Sequence, residues 1–254
     1  MSDLPDTFDD AFSVVEQSEW LRKVFPSVVD AELPGEVEPF SFVPAAGLAE
    51  VAAAVRVGPG GLLVDLACGR GGPGLWVARR LGARLRGVDA SPVAVAAATR
   101  RRALFGPGLD ARFAVGDLAG TGLDDGVADA VVCVDAFQFS EDHDPVVREL
   151  RRVLRPGGRL ALTCWESRDL GDSAVPARFA GLRCGELLRR GGLADVEVVE
   201  RPGWEQRRRA AYEAALAAGP SDDAGLALMR EEARSALGSL PRLRRVLVTA
   251  TNPA

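Results

Sequence analysis

Between residues 61 and 166 short apolar runs of strand length alternate with longer helical patterns, and that alternation restricts the folds open to this chain more than any other feature. LLVDLA (62–67) precedes a helix over about 73–81. RLRGVDA (84–90) precedes the helical SPVAVAAATRRRAL (91–104), and ARFAVGD (111–117) and ADAVVCVDA (128–136) precede a helix around 144–154. The turn Arg155-Pro156-Gly157-Gly158 then stops that helix and leads into GRLALTCWE (158–166), because proline and paired glycines cannot continue a helix. Strands alternating with helices build right-handed βαβ units around a parallel sheet, so this segment predicts five strands with crossovers.

Beyond Glu166 the rhythm changes. A polar loop (167–179) leads to a helix near 182–190, a strand over 196–199, helical stretches over 204–218 and 222–237, and a last β-rich run, RRVLVTAT (244–251). Helices placed between the last two strands are candidate lid material. The first 45 residues lack βαβ character but hold Phe8, Phe12, Trp20, Phe25, Phe40 and Phe42. They read equally well as a packed cap or as a lid that shapes a substrate site.

Composition narrows the function. With 47% hydrophobic residues in 254, the chain can bury a large core, and its net charge of -5 with dispersed arginines lacks the basic stripe of a nucleic-acid binder. No apolar run reaches membrane-helix length, and the acidic start MSDLPDTFDD is unlike a secretory leader, so a cytoplasmic location is expected. Cys68, Cys133, Cys164 and Cys184 form no C-x-x-C pair and read as small buried hydrophobes, leaving no metal site. Lysine occurs only at Lys23, which removes mechanisms that need a lysine in the central segment.

The loop VDLACGRGGPG (64–74) contains the spacing G-x-G-x-x-G. Glycines there let a ligand approach the backbone, and the helix after Pro73 exposes unpaired amides. Such a loop suits a pyrophosphate, a carboxylate or a close-packed nucleoside, and alone it does not choose among them. Asp89, ending RLRGVDA, can accept two hydrogen bonds from a ribose diol, which nicotinamide and adenosyl ligands share. Its competing role as a helix N-cap is weakened by Ser91, which fits that role before Pro92. Asp65, ahead of the glycines, can order the loop or attract a cationic ligand group. After the third strand, the Asp117 carboxylate could accept from an adenine amino group and the Leu118 amide could donate to the ring.

Taken in order, VDLACGRGG, GVDAS, GD, ADAVV and RVLRPGG resemble the core of class I S-adenosylmethionine-dependent methyltransferases, in the small-molecule, type 11/25-like branch. The resemblance covers 62–165. It implies an α/β, Rossmann-like seven-stranded sheet with helices on both faces and the last strand antiparallel. An N-terminal helical cap (1–45) would precede the methyltransferase domain (46–254), with a helical insertion at about 203–240. S-adenosylmethionine is the implied cofactor and a small molecule the methyl acceptor, with no nucleic-acid or membrane partner; a homodimer is an open expectation. Asp65, Ala67, Cys68, Gly69 and Gly71 would line the methionine end, Asp89, Ala90 and Ser91 the ribose and adenine, Asp117 and Leu118 the adenine, and Asp135 with Ala136 the reacting end. Ala67 departs from the usual glycine and loses its freedom at positive φ.

Methyl transfer by in-line displacement needs alignment first, and a base only when the acceptor is still protonated. Relatives of this type often carry a histidine just after the fourth strand, where this chain has Phe139. His143, the sole histidine, falls four residues later and would face the site if it shared a helix with Phe139. Asp135 and Glu141 are alternative bases. Phe137, Phe139 and Trp165 at strand ends, with Trp20, Phe42, Trp204 and Tyr212 from the flanking helices, are candidates for an apolar acceptor site. Two alternatives stay open: the same cofactor fold used for a non-methylating reaction such as cyclisation, and a nicotinamide oxidoreductase. The second lacks a Tyr-x-x-x-Lys pair, since Tyr212 is followed by Glu213, Ala214 and Ala215.

Overall fold

Seven strands form one sheet in the order β3-β2-β1-β4-β5-β7-β6. A computed structural model describes residues 4–37 and 42–253, with side chains from residue 8; Phe40, counted above among the aromatic residues, lies outside them. The strands are β1 (Leu62–Leu66), β2 (Arg84–Asp89), β3 (Ala111–Val115), β4 (Ala128–Val134), β5 (Leu154–Ser167), β6 (Ala194–Glu200) and β7 (Leu243–Thr251). The first five pair in parallel, and β7 runs antiparallel between β5 and β6. Strand order reverses between β1 and β4, which opens a crevice at their carboxyl ends.

Alternation along each strand sends side chains to two cores. Leu63, Leu85, Val132 and Ala161 pack on one face with α3 (Ala45–Val55) and α4 (Gly72–Leu81). Val64, Val131, Leu160 and Leu162 pack on the other with α6 (His143–Val153) and α8 (Cys184–Arg190). Ser91 caps α5 (Pro92–Arg101) by accepting from the Ala94 amide at 2.9 Å, as its place before proline requires. All four cysteines are buried and unbridged.

β5 starts earlier than the sequence suggests. Leu154 pairs with Ala128 and Arg159 with Ala130, so the Arg155–Gly158 turn is an irregularity within the strand rather than its entrance. Asn252 fixes it: the side-chain amide donates to the Leu154 carbonyl at 2.7 Å, and the Asn252 carbonyl accepts from the Gly157 amide at 2.8 Å.

A third core lies above the sheet edge. It joins α2 (Glu19–Val29), α9 (Pro202–Ala217) and α10 (Ala224–Ala236) through Trp20, Phe25, Ala211, Tyr212, Leu226 and Met229. The N-terminal helices and the insertion before β7 thus share one hydrophobic cluster. Asp223 ties them together, accepting from Ser18 Oγ at 2.6 Å and from the Trp20 amide at 2.9 Å. Helix α1 (Leu4–Gln17) crosses from α10 to α5. Among the described residues no helix is long and apolar enough to cross a membrane, and no group of His, Cys, Asp and Glu could hold a metal ion.

Candidate active site

The chain leaves β1 at a buried carboxylate. Asp65 is 2% exposed and its Oδ2 has no hydrogen-bond partner. Burial, reinforced by the nearby Asp89 charge, pushes its carboxyl up to about 8, against a weaker opposing pull from the Gly74 amide. A β-carbon on Gly74 would sit 2.1 Å from Asp65 Oδ2, so glycine is what lets α4 begin against this carboxylate. The loop between them is left-handed at Ala67 (φ 55°), Gly69 (φ 51°) and Gly71 (φ 81°). Ala67 thus takes the conformation its side chain disfavours, and the second such non-glycine residue at the crevice is Asp135 (φ 56°).

At the end of β2, Asp89 accepts from the Gly69 amide at 2.7 Å and from the Ser91 amide at 2.9 Å, so it both ties the loop down and faces the crevice. Burial holds its carboxyl above the usual range against these two bonds. Asp117 follows β3, exposed at the crevice rim, with the Ala119 amide on its Oδ1 at 2.8 Å. At the end of β4, Asp135 accepts from Thr163 Oγ1 at 2.7 Å and pairs through its other oxygen with Arg245 of β7. Arg245 is fully buried and lies against the Trp165 and Trp204 rings, 5.1 and 5.5 Å from their centroids.

These residues border a cavity of about 870 Å³. Asp65, Ala67, Cys68, Gly69, Asp89, Ala90, Ser91, Asp117, Leu118, Asp135 and Ala136 all line it. Gly71 does not: it caps α4, pointing where a β-carbon would meet Ala98 at 2.9 Å. The rest of the wall is mainly apolar, from Phe8, Phe12, Phe25, Phe42, Phe139, Trp165, Phe179 and Met229, with Arg178, Arg208 and Glu232 among them.

Several expectations for catalysis and the acceptor need correction. His143 does not line the cavity. Phe137 to Phe139 form a short 3-10 turn, the chain extends at Ser140, and α6 begins at His143, so His143 and Phe139 share no helix. The imidazole packs on the Phe137 ring, centroids 4.8 Å apart, with Nε2 buried and unpartnered, and burial holds it below the usual histidine range. Phe137 is itself fully buried beneath the sheet, in the core of the opposite face. None of Trp20, Tyr212 and Trp204 lines the cavity: the first two pack inside the third core, and Trp204 packs on Gly47 of α3. Asp135 does reach the cavity, with one carboxylate oxygen engaged by Thr163 and the other by Arg245. Phe42, Phe139 and Trp165 are where the acceptor reading needs them. Arg178, Arg208 and Glu232 have no signal in the sequence: they sit in stretches whose charge pattern matches an ordinary solvated helix face, and only the tertiary fold brings them to the cavity, Arg208 buried and Arg178 still exposed at its mouth.

Helix α1 closes the cofactor end. Asp9 accepts from Ser91 Oγ, Arg70 of the glycine loop donates to the Phe12 carbonyl at 3.1 Å, and Glu16 pairs with Arg70 and Arg100 at 3.5 and 3.2 Å.

Comparison with known proteins fits this geometry. Residues 64–162 match a family model described as "Methyltransferase domain". The 2-methyl-6-phytyl-1,4-hydroquinone methyltransferase of Synechocystis is 36% identical over 121 residues, 48% of this chain and 36% of that protein. This chain covers less than half the length of each of the first curated relatives it matches. Among solved structures, the cyclase SpnF superposes with a TM-score of 0.71 at 24% identity, over 82% of this chain and 80% of that one. A phosphoethanolamine N-methyltransferase of Haemonchus contortus, solved with S-adenosyl-L-methionine, gives a TM-score of 0.72 at 17% identity, over 97% of this chain and 60% of that one. Sheet order, crevice and family match agree: this chain has the class I methyltransferase fold, and its residues 64–162 match the methyltransferase domain family.

Proposed function

We propose that this chain is an S-adenosylmethionine-dependent methyltransferase acting on oxygen, nitrogen or carbon of a small, hydrophobic metabolite. The observation that carries the reading is Asp65: a buried carboxylate in the wall of a ligand-sized cavity, with one oxygen left unpartnered against Gly74, is suited to a cationic partner, which the ammonium of an amino-acid ligand supplies. Asp89 stands where a ribose diol can bond to it, and Asp117 and Leu118 where an adenine edge can. Among the described residues, no basic side chain lines this end to neutralise a pyrophosphate except Arg70, which is turned onto Phe12 and Glu16. The residues present fit S-adenosylmethionine, which when bound supplies an electrophilic methyl group on a sulfonium. The chain's own work is to hold the acceptor against aromatic walls, exclude water beneath α1, α9 and α10, and fix the floor of the cavity through the Asp135–Arg245–Thr163 set.

A second reading keeps the fold and cofactor without methyl transfer. It is favoured by one observation, that the sole histidine faces away from the cavity and leaves no imidazole base there. Incubation with methyl-labelled S-adenosylmethionine and apolar phenols, amines and carboxylic acids separates the two. Label in an extracted product is expected. Tight binding of S-adenosylhomocysteine with no label transferred across such a panel would favour the second reading, and no binding would remove both.

A further inference from the structure

The acceptor end of the cavity carries an arginine that no hydrogen bond or ion pair engages among the described residues. Three arginines line the cavity, and two are satisfied. Arg70 donates to Phe12 and pairs with Glu16. Arg208, 6% exposed, donates to Tyr212 Oη at 2.6 Å and to Glu232 at 3.0 Å, and its guanidinium lies 4.8 Å from the Trp165 centroid and 5.4 Å from that of Phe42. Arg178 differs. It projects from the short helix α7 (Ala177–Ala180) and stacks on Phe179 and Phe139, 4.6 and 5.4 Å from their centroids. Among the described residues it makes no hydrogen bond and no ion pair. Its side chain is exposed at the mouth of the cavity, where partial burial and the like charge of Arg208 disfavour its charged form against the opposing pull of Glu232 and Tyr212.

Charge is therefore distributed unevenly along one cavity. Asp65, Asp89, Asp117 and Asp135 gather at the cofactor end, while Arg178 and the Arg208–Glu232 pair stand among the aromatic residues. Glu141 and Glu231 also border the mouth and, like Arg178, are exposed; Arg178 stacks on aromatic rings of the wall. An amphiphilic ligand would enter with its anionic head at Arg178 and its apolar body along Phe139, Trp165 and Phe42. One unpaired guanidinium balances one negative charge, and its planar fork matches a carboxylate. A phosphate monoester would place a second negative charge close to Glu232.

We infer that the acceptor is a hydrophobic carboxylate, recognised through its carboxyl group by Arg178. This rests on the proposed methyltransferase reading for the word acceptor, but the binding site itself does not depend on it.

Calorimetry with 2-naphthoate, its neutral isostere 2-naphthamide and 2-naphthyl phosphate, on the full chain with S-adenosylhomocysteine present, tests the inference. Naphthoate is expected to bind at least tenfold more tightly than the amide and more tightly than the phosphate. Arg178→Gln should bring naphthoate and amide within about threefold of each other, and Arg178→Lys should keep part of the preference. S-adenosylhomocysteine affinity, measured alone, should be the same in wild type and both variants, which also shows that they fold. Equal binding of naphthoate and amide by wild type, absence of binding by all three probes, preference for the phosphate, or an unchanged preference in Arg178→Gln would each overturn the inference. If S-adenosylhomocysteine fails to bind while naphthoate still depends on Arg178, the carboxylate site stands and the methyltransferase reading falls.

Discussion

Asp65 is the residue on which the account turns, and its protonation has a thermodynamic signature. Held at about 8 in the folded chain, its carboxyl keeps a proton at pH values where the unfolded chain, near 3.8, has released it. Free of ligand, the protein should lose stability as pH rises through that window, by up to about 1.4 kcal/mol per pH unit, and level off above it. Asp65→Asn removes this contribution, so variant and wild-type melting temperatures should diverge between pH 5 and 8 with the variant ahead at pH 8; parallel curves would show that Asp65 is not held protonated. Ala67 offers a second test. Its left-handed backbone costs roughly 1–2 kcal/mol in a non-glycine residue, offset by the roughly 0.4–1 kcal/mol that glycine loses through a freer unfolded chain. Ala67→Gly should therefore stabilise by about 0.5–1 kcal/mol in urea titration, and a loss would mean that the alanine is not strained. The acids at strand ends were legible in the sequence because a carboxylate just past an apolar strand has few structural uses. His143 was misplaced because the three residues after Phe139 leave the helical path, and no sequence signal marked that extension at Ser140.

At the scale of elements, β4, β5 and β7 are joined by polar side chains as well as by ladders. Asp135 at the end of β4 bonds Thr163 on β5 and Arg245 on β7, and Arg245 is wholly buried. Removing one partner of such a pair leaves an uncompensated charge, which costs about 3–5 kcal/mol. Because Asp135 keeps some access to the cavity, Arg245→Met should fall near the lower end and reduce the melting temperature by roughly 6–12 °C. Adding Asp135→Asn should recover part of that loss in a double-mutant cycle; full additivity would mean that the two side chains do not interact. The strands and their order of appearance could be read from apolar runs, since each βα unit carries its own period. The Arg155–Gly158 irregularity could not, because it depends on Asn252, almost a hundred residues downstream. Nor could the joining of α2 to α9 and α10, which rests on Ser18 and Trp20 meeting Asp223.

For the molecule as a whole, two halves of one cavity have different origins. The half proposed to take the cofactor comes from loops at the carboxyl ends of β1, β2, β3 and β4, so its lining residues follow a local grammar legible in the sequence, except that Gly71 caps α4 and does not line the cavity. The acceptor half is assembled from the N-terminal helices, the turn after β4, α7, α9 and α10. Sequence shows an aromatic residue there but not which way it faces: Phe42, Phe139 and Trp165 border the cavity, while Trp20, Phe137, Trp204 and Tyr212 do not. The central claim, that the acidic half of the cavity takes an adenosyl amino acid, is tested most directly by titration calorimetry of S-adenosylhomocysteine and of NAD into wild type and Asp89→Ala. Saturable one-to-one binding of S-adenosylhomocysteine is expected, with no binding of NAD and with affinity reduced by about 1.5–3 kcal/mol in Asp89→Ala, the scale of hydrogen bonds to a charged group. Binding of NAD in its place, or an affinity unchanged by Asp89→Ala, would contradict the claim.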